Sequence, residues 1–476
     1  MCLLSILFVY FLSFTDKGGS DRLALGPRAI GQREKWEIGI DSLDYAVSPV
    51  YLDSIRALGA GILSTSRWMN GATVSIPEDG EVLGNISSCS FVRSVELTRD
   101  DTGISPASAG KSLSVGSPAG HSYGDAEEQL RILNLPALHD AGFEGQGILM
   151  AVIDAGFCNL DKLAAFDSIR SQIVGIYDTT DDPDDIQGKK GYHGSICLSL
   201  IAAVTDNYRG AATKADFCLI RSEEMDSESP KEADNMVAAF ELADSLGVNV
   251  VSTSLNYTGF DNPALDIGYG SMDGRTARSS RAAAVAARKG MLICCSAGNE
   301  GTTDWHYIGT PADADSIISV GATNSSGMIA PWSSRGPSSD GRIKPEVCAM
   351  GERAIVLNPS DGTFYADYGT SFACPQIAGL AACLWSALPD ENAMQIRQRI
   401  LLSADRYDSP DNDYGYGIPD AWKAYTLDPT AVTTPVTREP EAVFKTLQNG
   451  YIRICRDGIS YDTNGRVVMQ ADDNPQ

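Results

Sequence analysis

Residues 369–389 read GTSFACPQIAGLAACLWSALP. From Phe372 onward the run is apolar on every side of a helix, a pattern that suits a buried helix and not a surface one. At its mouth stand two hydroxyl residues, Thr370 and Ser371. Either suits an N-cap, whose oxygen accepts a free N–H of the first turn. Ser371 also fits a nucleophile displayed at a helix N-terminus. This stretch alone does not choose between the two.

A buried helix needs a sheet to lie on, and the flanking sequence supplies one. Residues 124–427 alternate strand and helix. GILMAVIDAGF (147–157) reads as a buried strand running into a turn. HGSICLSLIA (193–202) reads as a helix and ADFCLIRSE (215–223) as a strand. SPKEADNMVAAFELADSLG (229–247) reads as a helix with an N-cap Ser and a Gly stop. VNVVSTSLN, TARSSRAAAVAARKG and MLICCSAGN then read as strand, helix and strand. Repeated βα units predict an α/β fold: a mainly parallel central sheet with helices on both faces.

Ahead of this domain, residues 17–100 predict a small α+β unit. SPVYLDSIRALGA (48–60) has helical spacing, and GILSTSRWMNGATVSI (61–76) reads as two strands broken at Asn70–Gly71. EVLGNISSC (81–89) reads as a helix and SFVRSVELT (90–98) as a closing strand. With a short first strand near Trp36–Ile40, this is a ferredoxin-like split βαβ. Leu3–Phe14 is apolar, too short to span a bilayer and suited to a signal-peptide core, so residues 1–16 are expected to be a signal peptide, with a buried strand as the alternative. Residues 101–123 are rich in Ser, Gly and Pro, as linkers are. Residues 428–476 hold a Pro/Thr linker and a short β segment, with turns at Asp457–Gly458 and Asn464–Gly465.

The composition narrows the function classes. The chain has 476 residues, 43% hydrophobic, with a formal net charge of −25. Such acidity argues against a nucleic-acid partner, since phosphate binding needs clustered Lys and Arg. It suits a protein working outside the cell. Eleven cysteines occur without a C-x-x-C pair, several inside apolar runs, so they read as buried thiols more than as a zinc site or a disulfide framework.

Three further positions carry chemistry. Asp154 ends the apolar strand ILMAVID, where open α/β sheets collect function, although it could simply start a turn. His193 opens an apolar helix with small residues, Gly194 and Ser195, behind it. Asn299 closes MLICCSAGN; it could form a turn, or donate its amide to a developing oxyanion. The order Asp154, His193, Ser371 is that of one of the convergent Asp–His–Ser arrangements.

With these blocks the sequence resembles a subtilase, a subtilisin-like serine protease. The blocks are AVIDAGF, HGSICLSLIA, CSAGNEG and GTSFACPQIAG, together with PWSSRGPSSDGRIKPEVCAMG (331–351). The resemblance covers about 124–427. It departs from the usual pattern at Ser195 (usually Thr), Phe372 (usually Met) and Cys374 (usually Ala or Ser). It implies that Ser371 is the nucleophile, His193 its base and Asp154 the group that orients the imidazole. Asn299 and the Ser371 N–H would form the oxyanion hole. STSLNYTGF resembles the strand that pairs with an extended substrate, so Ser254, Leu255 and Asn256 would bind substrate; Asn256 stands where the family has Gly. The N-terminal unit resembles the family's inhibitory propeptide, which would leave by self-cleavage within 99–123.

The function implied is a secreted serine endopeptidase made as a zymogen, acting on proteins or peptides, with its own propeptide as an intramolecular inhibitor. The rival reading is a catalytically silent subtilase fold that binds peptides. No cofactor is implied. The acidic run DTTDDPDDIQG (178–188) is rich enough in carboxylates for Ca²⁺, but no ligand spacing supports it. No membrane span is expected. The C-terminal strands faintly resemble the short sorting segments of the bacterial type IX export route; an accessory hairpin is the plainer reading.

Overall fold

The computed structural model describes residues 7–77, 80–100, 123–181, 186–187, 191–225 and 227–428, and the backbone of four strands between 444 and 469. The proposed maturation stretch 101–122, residues 182–185 and 188 of the acidic run, the Pro/Thr linker beyond residue 428 and the two C-terminal turn dipeptides lie outside the described residues.

The N-terminal unit contains β1 (Leu7–Phe14), α1 (Pro27–Lys35), α2 (Pro49–Ala57), β2 (Gly61–Ser66), β3 (Gly71–Pro77), α3 (Glu81–Ser87) and β4 (Val92–Arg99). Its strands form one sheet in the order β2-β3-β1-β4, with every neighbouring pair antiparallel. The ferredoxin-like expectation stands, with one correction. The first strand is Leu7–Phe14, not a segment near Trp36–Ile40, so this run is a central strand instead of a cleaved leader.

The reason for the misreading is physical. β1 is apolar except for Ser13 because both its faces are covered. Leu12 and Phe14 enter the unit's own core. Phe11, on the other face, joins Trp68 and Met69 in a core shared with the larger domain. Strict alternation, the usual mark of a half-exposed strand, is therefore lost. At the β2–β3 turn Asn70 takes φ 49°. Gly71 follows because a Cβ there would lie 2.2 Å from the Leu12 carbonyl oxygen.

The larger domain opens with α4 (Glu127–Arg131) and α5 (Leu135–Asp140), followed by β5 (Leu149–Asp154), β6 (Ile173–Asp178), α6 (His193–Ala202) and a small hairpin of β7 (Val204–Thr205) and β8 (Tyr208–Arg209). Next come β9 (Asp216–Arg221), α7 (Pro230–Leu246), β10 (Val250–Thr253), α8 (Arg278–Arg288), β11 (Leu292–Ser296), β12 (Ile318–Thr323) and β13 (Val347–Met350). A second hairpin, β14 (Glu352–Leu357) and β15 (Phe364–Tyr368), leads into α9 (Thr370–Ala387), α10 (Ala393–Ser403) and α11 (Ala421–Thr426).

Seven strands form the central sheet in the order β13-β12-β11-β10-β5-β9-β6, all parallel. Side chains alternate across β5: Met150 and Val152 face the core with α9, while Leu149, Ala151 and Ile153 face the core with α7 and α8. The α/β expectation thus holds, with helices on both faces. The chain adds strands on one side of β5 and then, from β10, on the other. The carboxyl end of β5 is consequently a topological switch point, where open sheets leave a crevice.

The chain also divides at Val432 into two compact units. The second carries an antiparallel sheet of β16 (Phe444–Gln448), β17 (Tyr451–Arg456), β18 (Ile459–Tyr461) and β19 (Val467–Met469). Its last three strands match the sequence expectation; β16 was not foreseen.

Candidate active site

Asp154, at the end of β5, is completely buried. Its Oδ1 accepts hydrogen bonds from the Ala155 N–H at 2.7 Å and from His193 Nδ1 at 2.7 Å. His193 is the first residue of α6. The close approach of α6 to β5 depends on Gly194, where a Cβ would lie 2.4 Å from the Gly156 carbonyl oxygen and 3.0 Å from Asp154 Cβ. Burial opposes charge on the imidazole. The Asp154 carboxylate outweighs it, so His193 titrates well above the ordinary histidine value.

Ser371 lies in the first turn of α9, and its placement follows from Pro375 in the same helix. Proline has no N–H to give to the carbonyl four residues back, and that carbonyl belongs to Ser371. Ser254 Oγ donates to it at 2.9 Å, and Cys197 Sγ at 3.5 Å. Ser371 Oγ in turn donates to the Ser254 carbonyl at 3.4 Å. A turn about χ1 frees it toward the imidazole; such hydrogen bonds commonly tighten only when substrate is present.

Asn299 follows β11. Its Oδ1 accepts from the Thr370 N–H at 2.9 Å and from Thr370 Oγ1 at 3.0 Å. Thr370 Oγ1 also accepts from the Gly298 N–H at 3.1 Å. With the oxygen so occupied, the Asn299 amide N–H₂ is the end left for a ligand. His193, Ser371 and Asn299 line one cavity of about 300 Å³ together with Ser254, Leu255 and Asn256. Every site residue expected from the sequence except Asp154 lines this space, and Asp154 reaches it through His193.

The sequence reading passed over two contributions. Thr370 was weighed only as a cap, yet it orients Asn299. Glu223 and Glu228 also line the cavity, and with Glu232 they bring carboxylate oxygens within 4.8 Å of one another. Burial and the neighbouring Glu228 charge push Glu223 up to about 8, against a hydrogen bond from Tyr257. The available signal was position: RSEEMDSE leaves the carboxyl end of β9, beside β5.

His139, Cys158 and the described residues of the acidic run do not line this cavity. Burial brings His139 down to about 4, with Nε2 on the Ala211 carbonyl at 3.0 Å. Cys158 is buried, as are seven more of the nine free cysteines among the described residues. Within the acidic run, Asp178 pairs with Arg221 at 2.7 Å and Asp181 with Lys231.

The N-terminal unit docks on α7. Glu241 accepts hydrogen bonds from Ser66 Oγ at 2.6 Å, the Arg67 N–H at 2.9 Å and the Trp68 N–H at 3.0 Å. Asp244 pairs with Arg33 and Arg67, both at 2.6 Å. At the end of β4, Arg99 pairs with Glu224 at 2.6 Å, and the next residue, Asp100, accepts from Asn262 Nδ2 at 2.9 Å. The chain therefore leaves the unit beside the residue next to cavity-lining Glu223.

Comparison with known proteins agrees with this architecture. A model of the subtilase family matches residues 145–417, and one of the Peptidase S8 propeptide domain of Bacteroidota matches residues 9–111, a span that includes most of β1. Subtilisin E of Bacillus subtilis (strain 168) is 29% identical over 273 residues, which are 57% of this chain and 64% of that relative, just under two thirds of its length. Serine protease AprX of the same strain is 25% identical over 371 residues, 71% of this chain and 75% of its own. Thermitase of Thermoactinomyces vulgaris is 28% identical over 285 residues, covering 59% and 89%. With a family model spanning more than half of its length, behind a matched propeptide domain, this chain belongs to the subtilase family.

Proposed function

We propose that the protein is a serine endopeptidase, made as a zymogen and exported to work outside the cell or at its surface. The observation that carries the reading is the convergence of His193, Ser371 and Asn299 on one cavity, with Asp154 on the far nitrogen of the imidazole. Ser371 Oγ attacks the peptide carbonyl carbon while His193 Nε2 takes its proton. The carbonyl oxygen becomes an oxyanion, met by the Asn299 amide and the Ser371 N–H. Collapse breaks the C–N bond, His193 gives the proton to the leaving amine, and an ester remains on Ser371. Water, deprotonated by the same imidazole, releases the acid product. Asp154 fixes the tautomer and stabilises the imidazolium.

The N-terminal unit acts as the chain's own inhibitor. Its exit beside Glu224 supports delivery of the following residues to the cleft. The net charge of −25 suits an exported protein. A fluorophosphonate probe tests the chemistry: the matured wild type should carry the adduct on Ser371, and Ser371→Ala should carry none. An unlabelled wild type would favour a silent, peptide-binding member of the family.

A further inference from the structure

Asn256 occupies a family glycine position, and its side chain lies across the floor of the catalytic cavity. Nδ2 donates to the Leu255 carbonyl at 2.6 Å, to the Ser296 carbonyl at 2.8 Å and to Ser296 Oγ at 3.0 Å. It thereby ties the wall after β10 to the end of β11. These acceptors fix the amide's orientation, since a flipped group would set oxygen against two carbonyl oxygens. Oδ1 is left buried, with no donor among the described residues. It sits between two glycines: a Cβ on Gly309 would lie 3.0 Å from it and one on Gly298 3.2 Å.

A peptide carbonyl between Ser371 Oγ and the Asn299 amide puts the residue that supplies it, P1, directly over this space. Its side chain must enter between Ser254–Asn256 and Ser296–Gly298. A glycine at 256 would leave that space empty; here an amide fills its floor, with Oδ1 sealed between the two glycines. A long side chain entering there meets the amide before it is buried, so a short one is favoured.

We propose that Asn256 sets a short P1 subsite, so that the protein cleaves after small residues and poorly after large apolar ones. This inference rests on the peptidase reading. The test uses the matured full-length protein and three peptide anilides identical except for P1 Ser, Ala or Phe. For the wild type, kcat/KM for Ser and for Ala should each exceed that for Phe by at least about tenfold. Asn256→Gly should raise the Phe substrate at least about tenfold relative to Ala. Asn256→Ala, which keeps a Cβ, should raise it less. Wild-type cleavage after Phe as fast as after Ser overturns the inference alone, whatever the variants do. Unchanged ratios in both variants overturn it too. No cleavage of any substrate, together with no fluorophosphonate adduct, overturns the peptidase reading and this inference with it.

Discussion

Ser254 and Ser371 are bound to each other twice: Ser254 Oγ donates to the Ser371 carbonyl at 2.9 Å, and Ser371 Oγ donates to the Ser254 carbonyl at 3.4 Å. The first bond substitutes for the helix bond that Pro375 cannot make. It fixes the first turn of α9 against the end of β10, and with it the position of Ser371, the proposed nucleophile. Ser254→Ala should lower kcat by about tenfold, the worth of one such bond, and leave KM nearly unchanged. Steady-state kinetics on an anilide substrate measure both; a change confined to KM would contradict this positioning role.

The Thr370–Asn299 contact makes a separate prediction. Asn299→Ala removes an oxyanion donor and should lower kcat by about 100- to 1000-fold, the range expected for one donor in a site of this kind. Thr370→Val keeps Asn299 but loses the hydroxyl bond to its oxygen and the bond from Gly298. Its kcat should fall by about tenfold. Equal losses in the two variants would show that Thr370 does more than orient the amide.

The pH profile follows from His193. Burial disfavours the imidazolium, but the Asp154 carboxylate overcomes this and holds the folded-state pKa well above the ordinary value. The base acts only when neutral, so activity falls as pH drops through that raised value. The acid limb of kcat/KM should have its midpoint above about 6.5, the unperturbed histidine pKa; from sequence alone the decline is expected near that value. Asp154→Asn should move the midpoint down and cost about four orders of magnitude in kcat. A wild-type midpoint at or below the unperturbed value would show that the carboxylate does not dominate.

Glu241 is the anchor of the N-terminal unit. Its carboxylate takes three donors from Ser66–Trp68 and is buried on α7. Glu241→Ala leaves two buried backbone N–H groups unpaired, a loss on the order of 2 to 4 kcal/mol. Hydrogen exchange of the uncleaved chain should then speed up across β1–β4 while the central sheet stays protected. Uniform acceleration would point to general destabilisation instead.

The larger domain was readable because its signals agree. β5, β9, β10 and β11 are short apolar runs ended by turn residues, α7 carries Ser229 and Gly247 at its ends, and Asp154, His193 and Ser371 sit where strands or helices meet loops. β1 was misread because cover on both faces erases the alternation that separates a strand from a leader segment. Thr370 and Glu223 were missed for another reason. Their roles depend on which strand ends the fold brings together, and no local pattern records that β9 and β11 flank the β5–β10 pair. Asn256 was visible as a departure, but the direction of its side chain was not.

The most direct measurement is an intact-mass time course of purified residues 1–476, wild type beside Ser371→Ala. Wild type should lose about the first hundred residues, as expected if the matched propeptide span is removed by self-cleavage, while the mutant stays whole. If both are cut at the same rate and place, self-maturation by Ser371 is contradicted.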